Sequence, residues 1–383
     1  MSYKEFLENK PLFYKEIDFE RMPSVWQKIK HNFKLPKIIH IVGTNGKGST
    51  GRFLAYYLYK KGYKTGHYTS PHILSFNERI WLNGKDIDDR SLENAHKILQ
   101  NILEKDDSKS LSYFEYTTLL AMQIFQECDY IIFEAGLGGE YDATSVFENI
   151  LTLVTPIDYD HREFLGSSIK EIAKTKLKAI KKRAIIGYQP HYEVWDVALD
   201  LSKKMGFEVK DFKEFMDKDT EFEVRQFLKR HAFPSFFQNN IFLAISAIIE
   251  LGFEFDVKLF EGVTIFGRFQ KIAPNIIIDV GHNALAATAV KEALKDKKVT
   301  LVYNSYKDKE YEKILSILKP VIKRIEILPI DNERAEEKKE LLSAVERLGL
   351  SYGDFKGVKK EENYLIFGSF SVVEEFLKEF FER

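Results

Sequence analysis

The chain has 383 residues, about twice the usual single-domain length, which points to two domains, each large enough to bury a core of its own. Lys plus Arg (57) almost balance Asp plus Glu (58), a formal charge of −1, so there is no sequence-wide electrostatic footprint for nucleic acid or an anionic membrane. The single cysteine, Cys128, excludes an intrachain disulfide and a Cys-rich zinc site, and 44% hydrophobic residues exclude disorder.

The longest apolar run, Ile241 to Ile249, is about half a membrane span, and the opening MSYKEFLENK lacks the apolar core of a signal peptide. These features predict a soluble, cytoplasmic protein. Short apolar runs that predict buried strands occur at Lys37 to Val42, Tyr130 to Phe133, Leu151 to Thr155 and Ala184 to Gly187. After a Gly262 to Gly267 connection the series restarts with Asn275 to Asp279, Val299 to Tyr303, Arg324 to Pro329 and Tyr364 to Phe367, with helical patterns at Ala284 to Leu294 and Lys309 to Leu318. Strand and helix alternating twice over predicts two α/β units with mostly parallel sheets, whose ligands bind beyond the carboxyl ends of the strands. The charge-rich stretch Phe207 to His231 is weakly periodic and carries no assignment.

The first strand end reads His40-Ile41-Val42-Gly43-Thr44-Asn45-Gly46-Lys47-Gly48-Ser49-Thr50, followed by a helix with Phe53, Leu54, Tyr57 and Leu58 on its inner face. Strand, glycine loop, Lys, Ser and helix is the layout that cradles nucleotide phosphates: backbone N–H groups face the anion, Lys47 adds a charge, and a hydroxyl one turn on can hold Mg²⁺. The common spacing has glycine where Ile41 stands and Ser or Thr directly after Lys, so this is a variant in which Gly48 intervenes. The bland alternative is a glycine turn that merely joins strand to helix.

The next strand ends in Glu134, before Ala135-Gly136-Leu137-Gly138-Gly139 and Asp142-Ala143-Thr144, and a carboxylate at that edge suits Mg²⁺ on a nucleotide. The third ends in Pro156-Ile157-Asp158-Tyr159-Asp160-His161; a lone loop histidine is more often a surface residue, but here it shares an edge with Glu134 and the phosphate loop. The predicted helix Ser168 to Lys182 looks at first like a solvated basic face. At about 100° per residue, however, Ile169, Ile172, Ala173 and Ile180 form one stripe and Lys176 falls near its middle. An inward lysine either snorkels at the stripe's edge or is desolvated, with a lowered pKa and a chemical use.

Taken together, these residues resemble folylpolyglutamate synthase/dihydrofolate synthase, a family of the Mur ligase superfamily. The likeness extends over nearly the whole chain through His40 to Thr50, Thr69-Ser70-Pro71-His72, Asn77-Glu78-Arg79-Ile80, Tyr113-Phe114-Glu115 with Thr118, Glu134 to Thr144 and Asp160-His161 with Leu165-Gly166. It continues with Gly267-Arg268, Asp279-x-Gly281-His282-Asn283, Asp308-Lys309, Arg334-Ala335 and Gly368-Ser369-Phe370. The resemblance implies a phosphate-loop ATPase domain over 1–262 and a smaller Rossmann-like domain over 267–383. It implies ATP on Thr44 to Thr50, Asn240, Arg268, Asp279 and His282, and two magnesium ions held through Ser49, Glu134 and His161. Lys47, Glu134, His161 and Lys176 take the catalytic roles, Lys176 as a CO₂ carbamate.

The pterin-bearing substrate is expected on Ser70, Pro71, His72, Arg79, Phe114 and Glu115. The reaction implied joins L-glutamate to dihydropteroate, to the γ-glutamyl tail of a reduced folate, or to both, by a monomer that uses neither nucleic acid nor membrane. Three departures stand out: Ser145 where the family has Asn, Phe236-Phe237 where it has His-Gln before Asn240, and Thr175 in place of Glu before the lysine. A cell-wall amino-acid ligase lacks the Ser70-Pro71-His72 and Phe114-Glu115 segments, and a phosphate-loop ATPase of another class leaves Lys176 without a role. The sequence has neither a Cys-His pair nor a G-x-S-x-G elbow for covalent catalysis.

Overall fold

The computed structural model describes residues 1–10, 18–295 and 297–381. It divides into two compact units, Met1–Phe227 with Gln238–Val263, and Leu228–Phe237 with Thr264–Arg383. The segment Leu228–Phe237 groups with the second unit rather than with the rest of 1–262. Its aromatic rings explain this: Phe236 stacks on Phe237 and stands edge-on to Phe269 at 6.1 Å.

The first unit holds eight strands: β1 (Lys37–Val42), β2 (Thr65–Tyr68), β3 (Ile80–Leu82), β4 (Lys85–Asp86), β5 (Tyr130–Glu134), β6 (Leu151–Val154), β7 (Arg183–Ile186) and β8 (Glu208–Asp211). Their order is β4-β3-β2-β5-β1-β6-β7-β8, parallel from β2 to β8, with β3 and β4 antiparallel at one edge. The central strand is apolar because both its faces are covered; Ile39, Ile41 and Val42 have no exposed surface. On one face the helix Lys47–Lys60 buries Phe53, Leu54, Tyr57 and Leu58 completely, and each such side chain contributes roughly 1.5–3 kcal/mol.

Register sets the site. Ile41 pairs with Glu134 and Val42 with Val154, while Tyr68 pairs with Phe133 and Ile186 with Val154. Five strands therefore deliver the residues after their carboxyl ends to one edge, on both sides of the loop that follows β1. That loop is tightly seated: Gly43 has φ 145°, and a Cβ there would lie 2.0 Å from Thr155 Oγ1 and 2.8 Å from Thr155 O. Gly43→Ala is expected to cost about 3 kcal/mol or more, from strain plus overpacking, measurable as a lower thermal midpoint. An unchanged midpoint would show that the loop is not clamped against β6.

The second unit has β9 (Gln270–Ala273), β10 (Ile276–Asp279), β11 (Val299–Tyr303), β12 (Ile322–Ile327), β13 (Tyr352–Asp354) and β14 (Tyr364–Phe367). These form one sheet in the order β13-β12-β11-β14-β10-β9, parallel except for β9. Its core packs Leu301, Tyr303, Ile325, Leu365 and Phe367 beneath Ala287, Val290, Ile314 and Leu318. Among the described residues no helix is long and apolar enough to cross a membrane.

Two local expectations need correction. The helix carrying Lys176 runs only over Ile169–Leu177, because Ala179 and Ile180 must drop into the core before β7 begins. The unassigned stretch Phe207 to His231 is β8 followed by the helix Lys218–Arg230, whose sparse apolar positions Val224, Phe227 and Leu228 are all buried.

Candidate active site

The helix Lys47–Lys60 begins without a side-chain cap. Gly46, at φ 86°, precedes it, and the first-turn amides are open to an anion at the positive end of the helix dipole. The loop is held from behind: Thr44 and Asn45 donate their N–H groups to Pro156 O, and the Thr44 hydroxyl bonds Asp158 O. Asn240 donates to Gly46 O (3.2 Å) and to the Thr50 hydroxyl (3.1 Å). Asn240 and Thr50, both expected at ATP, thus brace the phosphate loop through buried side chains.

Two amines converge on one carbonyl. Lys176 Nζ donates to Gly43 O at 2.8 Å, and Lys47 Nζ reaches the same oxygen at 3.3 Å as well as Thr44 O. Lys176 is 5% exposed, so the inward reading of its helix holds and the snorkelling alternative falls. Burial first, and then the charge of Lys47, push its pKa down to about 7, against the opposing pull of Asp160 and Asp142. Lys47 is also 3.8 Å from Glu134 Oε1, and Glu134 Oε2 accepts from the Thr69 hydroxyl and from Ser70 N at 3.4 Å.

Ser49 is buried in the first turn, and its hydroxyl has no hydrogen-bond partner among the described residues. An uncommitted hydroxyl one turn beyond the loop lysine, with a carboxylate opposite, is an oxygen donor set that suits a hard divalent cation. His161 lies on the neighbouring loop in a left-handed conformation (φ 49°, ψ 43°), 3.9 Å from Asp160. Among the described residues no three His, Cys, Asp or Glu side chains stand together at metal-binding spacing, so magnesium here would draw most of its ligands from water and phosphate oxygens.

On the other flank, Phe114 stacks on Tyr68 (centroids 5.7 Å apart) and crowds Gly136, where a Cβ would sit 2.6 Å from the ring. Glu115 has a structural duty. It closes the capping box of the helix Tyr113–Phe125 with Ser112 and accepts from Arg21 Nε at 2.8 Å. Pro71 is exposed at the rim and His72 is half-buried.

Sequence reasoning missed the supporting roles at this edge: His40, Asp142 and Thr144 lie within the motif segments without showing that role, and Gln189 and His191 lie outside every motif. His40 bonds the Thr144 hydroxyl at 2.7 Å and that hydroxyl donates to Asp142, whose other oxygen accepts from Gly136 N and Leu137 N. Burial pushes the His40 pKa down to about 3, so it acts as a neutral strut. Gln189 and His191 hold Ile157 N and Asp158.

The departures are absorbed locally. Ser145 donates to Gly139 O, Thr175 to Glu171 O, and Phe236 and Phe237 replace polar groups by ring stacking.

In the second unit, Asp279 ends β10 and accepts from Phe269 N (2.8 Å) and Gly281 N (2.7 Å), while Asn283 caps the helix Ala284–Leu294. Burial raises the Asp279 pKa, and the Arg268 charge opposes the rise. Arg268 lies over the Phe370 ring at 5.1 Å, and His282 is half-buried beside Val280 O. The Asp-x-Gly-His-Asn motif is therefore largely a turn device that presents His282.

No protein-family model matches the chain. The dihydrofolate synthase/folylpolyglutamate synthase of Haemophilus influenzae is 30% identical over 98% of this chain and 95% of its own. The chain belongs to the dihydrofolate synthase/folylpolyglutamate synthase family. The crystal structure of Helicobacter pylori folylpolyglutamate synthetase is 40% identical, with a TM-score of 0.80, and the match covers 99% of this chain and 98% of that one. Escherichia coli FolC in complex with DHPP and ADP is 26% identical with a TM-score of 0.83, covering 99% and 97%. The family fold of two α/β units with largely parallel sheets is the fold found here.

Proposed function

We propose that this chain is an ATP-dependent ligase that joins L-glutamate to dihydropteroate and extends the γ-glutamyl tail of reduced folates, with the residues of the β1–β5–β6 edge in the following roles. The observation that carries the assignment of roles is the convergence of Lys47 and Lys176 on Gly43 O, at the mouth of an uncapped helix and opposite Glu134. The ADP and DHPP bound by the E. coli relative support ATP and a pterin-bearing acid as substrates of this chain.

The helix N-terminus and Lys47 bind the ATP phosphates. The pterin-bearing acid lies along Phe114, Gly136 and the Ser70–His72 loop, where the Phe114 ring stacks on Tyr68. Its carboxylate oxygen attacks the γ-phosphorus, the bond to ADP breaks, and an acyl phosphate forms. The glutamate amine, having lost a proton, then attacks the acyl carbon and phosphate leaves.

No protein nucleophile is required. Catalysis rests on alignment and on neutralising the charge that spreads over the transferring oxygens. Magnesium, held through Ser49, Glu134 and His161, would supply further positive charge against those oxygens.

Lys176 fits a carbamate. It is buried, burial and the Lys47 charge lower its pKa to about 7 so that the neutral amine is well populated there, and Lys47 stands beside it as counter-charge. The neutral amine adds to CO₂ and releases one proton, turning an uncharged group into an anion. The enzyme works as a cytoplasmic monomer on small molecules.

The test is Mg²⁺-dependent phosphate release from ATP with L-glutamate and either 7,8-dihydropteroate, tetrahydrofolate or no acceptor. Release with both acceptors is expected. Release with only one narrows the substrate, and release without acceptor or glutamate overturns the ligase reading.

A further inference from the structure

The loop after β2 is organised by the segment Asn77-Glu78-Arg79 in a way the functional assignment leaves unused. Glu78 accepts three consecutive loop amides, from Ile73 (2.8 Å), Leu74 (2.7 Å) and Ser75 (2.8 Å), and Asn77 Nδ2 ties the segment to Ile87 O. Arg79 is only 9% exposed. Its guanidinium lies over the Tyr113 ring at 5.3 Å and near Phe76 at 6.0 Å, and its Nε–H donates to His72 Nδ1 at 2.8 Å.

An arginine can only donate, so His72 Nδ1 must accept. A neutral imidazole that accepts at one nitrogen carries its proton on the other. Nε2 has no hydrogen-bond partner among the described residues, and the ring is half-buried, with Nε2 left for a ligand. A doubly protonated ring would set N–H against N–H. Burial and the Arg79 charge both oppose that form and push the His72 pKa down to about 4.

We infer that Arg79 is a positioning residue rather than a substrate ligand. It locks His72 as the neutral Nε2–H tautomer, and Nε2–H is the donor offered to a carbonyl or carboxylate oxygen of the pterin-bearing substrate. The inference rests on the ligase reading above for the identity of that substrate. The lock itself is a property of the free protein.

The test combines a spectrum with kinetics. Long-range ¹H–¹⁵N correlation of ¹⁵N-histidine-labelled protein, with His72 assigned by its loss in His72→Gln, should place Nδ1 in the unprotonated range and Nε2 in the protonated range. Arg79→Met, which keeps an apolar stem between the rings, should shift both nitrogens toward tautomer-averaged values.

In glutamate-dependent turnover, His72→Asn removes the Nε2 donor and should raise KM for the pterin substrate about five- to tenfold, the worth of one hydrogen bond, with the larger part of the effect in KM rather than kcat. His72→Gln restores a donor near Nε2 and should recover at least half of that loss. An Nδ1–H tautomer in active wild-type enzyme overturns the Arg79 lock. Equal KM for His72→Asn, His72→Gln and wild type overturns the donor role. Wild-type enzyme with the expected tautomer but no glutamate-dependent turnover overturns the ligase reading instead. If Arg79→Met fails to fold, the wild-type spectrum and the two His72 variants still decide.

Discussion

Lys176→Ala is expected to lose about 10³-fold in turnover, because it removes the anion that a carbamate would place beside Lys47 and the magnesium ligands. Acetate or formate, small enough to occupy the vacated space, should restore part of the activity. Full activity without rescue would refute the carbamate.

The pH dependence follows from the same geometry. The folded-state pKa of Lys176, about 7, lies well below that of an unfolded lysine, so between pH 7 and roughly 10 the unfolded chain binds a proton that the folded chain does not. Stability contributed by this site therefore rises with pH across that window and is lost below it. The thermal midpoint of wild type relative to Lys176→Met should climb from pH 7 to pH 9. Activity should also fall below pH 7, where the protonated amine cannot take up CO₂, and should respond to bicarbonate in CO₂-depleted buffer. A flat difference in midpoint would mean that Lys176 keeps an ordinary pKa.

Lys47→Ala should cost a similar factor, about 10³-fold in kcat, through loss of the charge that faces the transferring phosphoryl oxygens. The lysine is partly buried, but its folded-state contacts are two 3.3 Å bonds to loop carbonyls and a loose 3.8 Å ion pair with Glu134. The thermal midpoint should consequently move by roughly 3 °C or less. Loss of the Lys47 charge also removes one of the two influences that lower the Lys176 pKa, so the variant's Lys176 should titrate higher. Residual turnover within tenfold of wild type, or a collapse in stability, would contradict the phosphate role.

Several parts of the site could be read from the sequence because burial leaves a periodic trace. Lys176 stands out since Ile169, Ile172 and Ala173 mark the buried stripe on which it sits, and those residues are inside the core. The phosphate loop is legible for a related reason: only glycine tolerates φ 145° and 86° at Gly43 and Gly46 without strain. Other residues gave no such signal. Asn240, His40 and Gln189 act through partners 32 to 194 positions away, and Glu115 and Asp279 spend their carboxylates on backbone amides or a structural ion pair. The short strands β2 and β9 and the helix Lys218–Arg230 also escaped notice. Their own residues are too few or too polar to show a period; β2 is buried by the strands beside it, and β9 is a part-exposed edge strand fixed by its pairing with β10.

The sequence by itself determined the alternation of strands and helices, the two α/β units, the glycine loop with its lysine and the inward lysine downstream, together with the family likeness. Each depends on spacing within a few turns or strands, where sterics and hydrophobic periodicity act locally. Only the tertiary structure decided that β1 lies between β5 and β6, so that Gly43 faces Thr155 and Glu134 stands level with the loop. The same pairing brings two lysines onto one carbonyl, while the turn between β2 and β3 aims Arg79 at His72 rather than at solvent. Strand order and register are set by long-range hydrogen-bond pairing and by the burial of two faces at once, and no local window of residues contains that information.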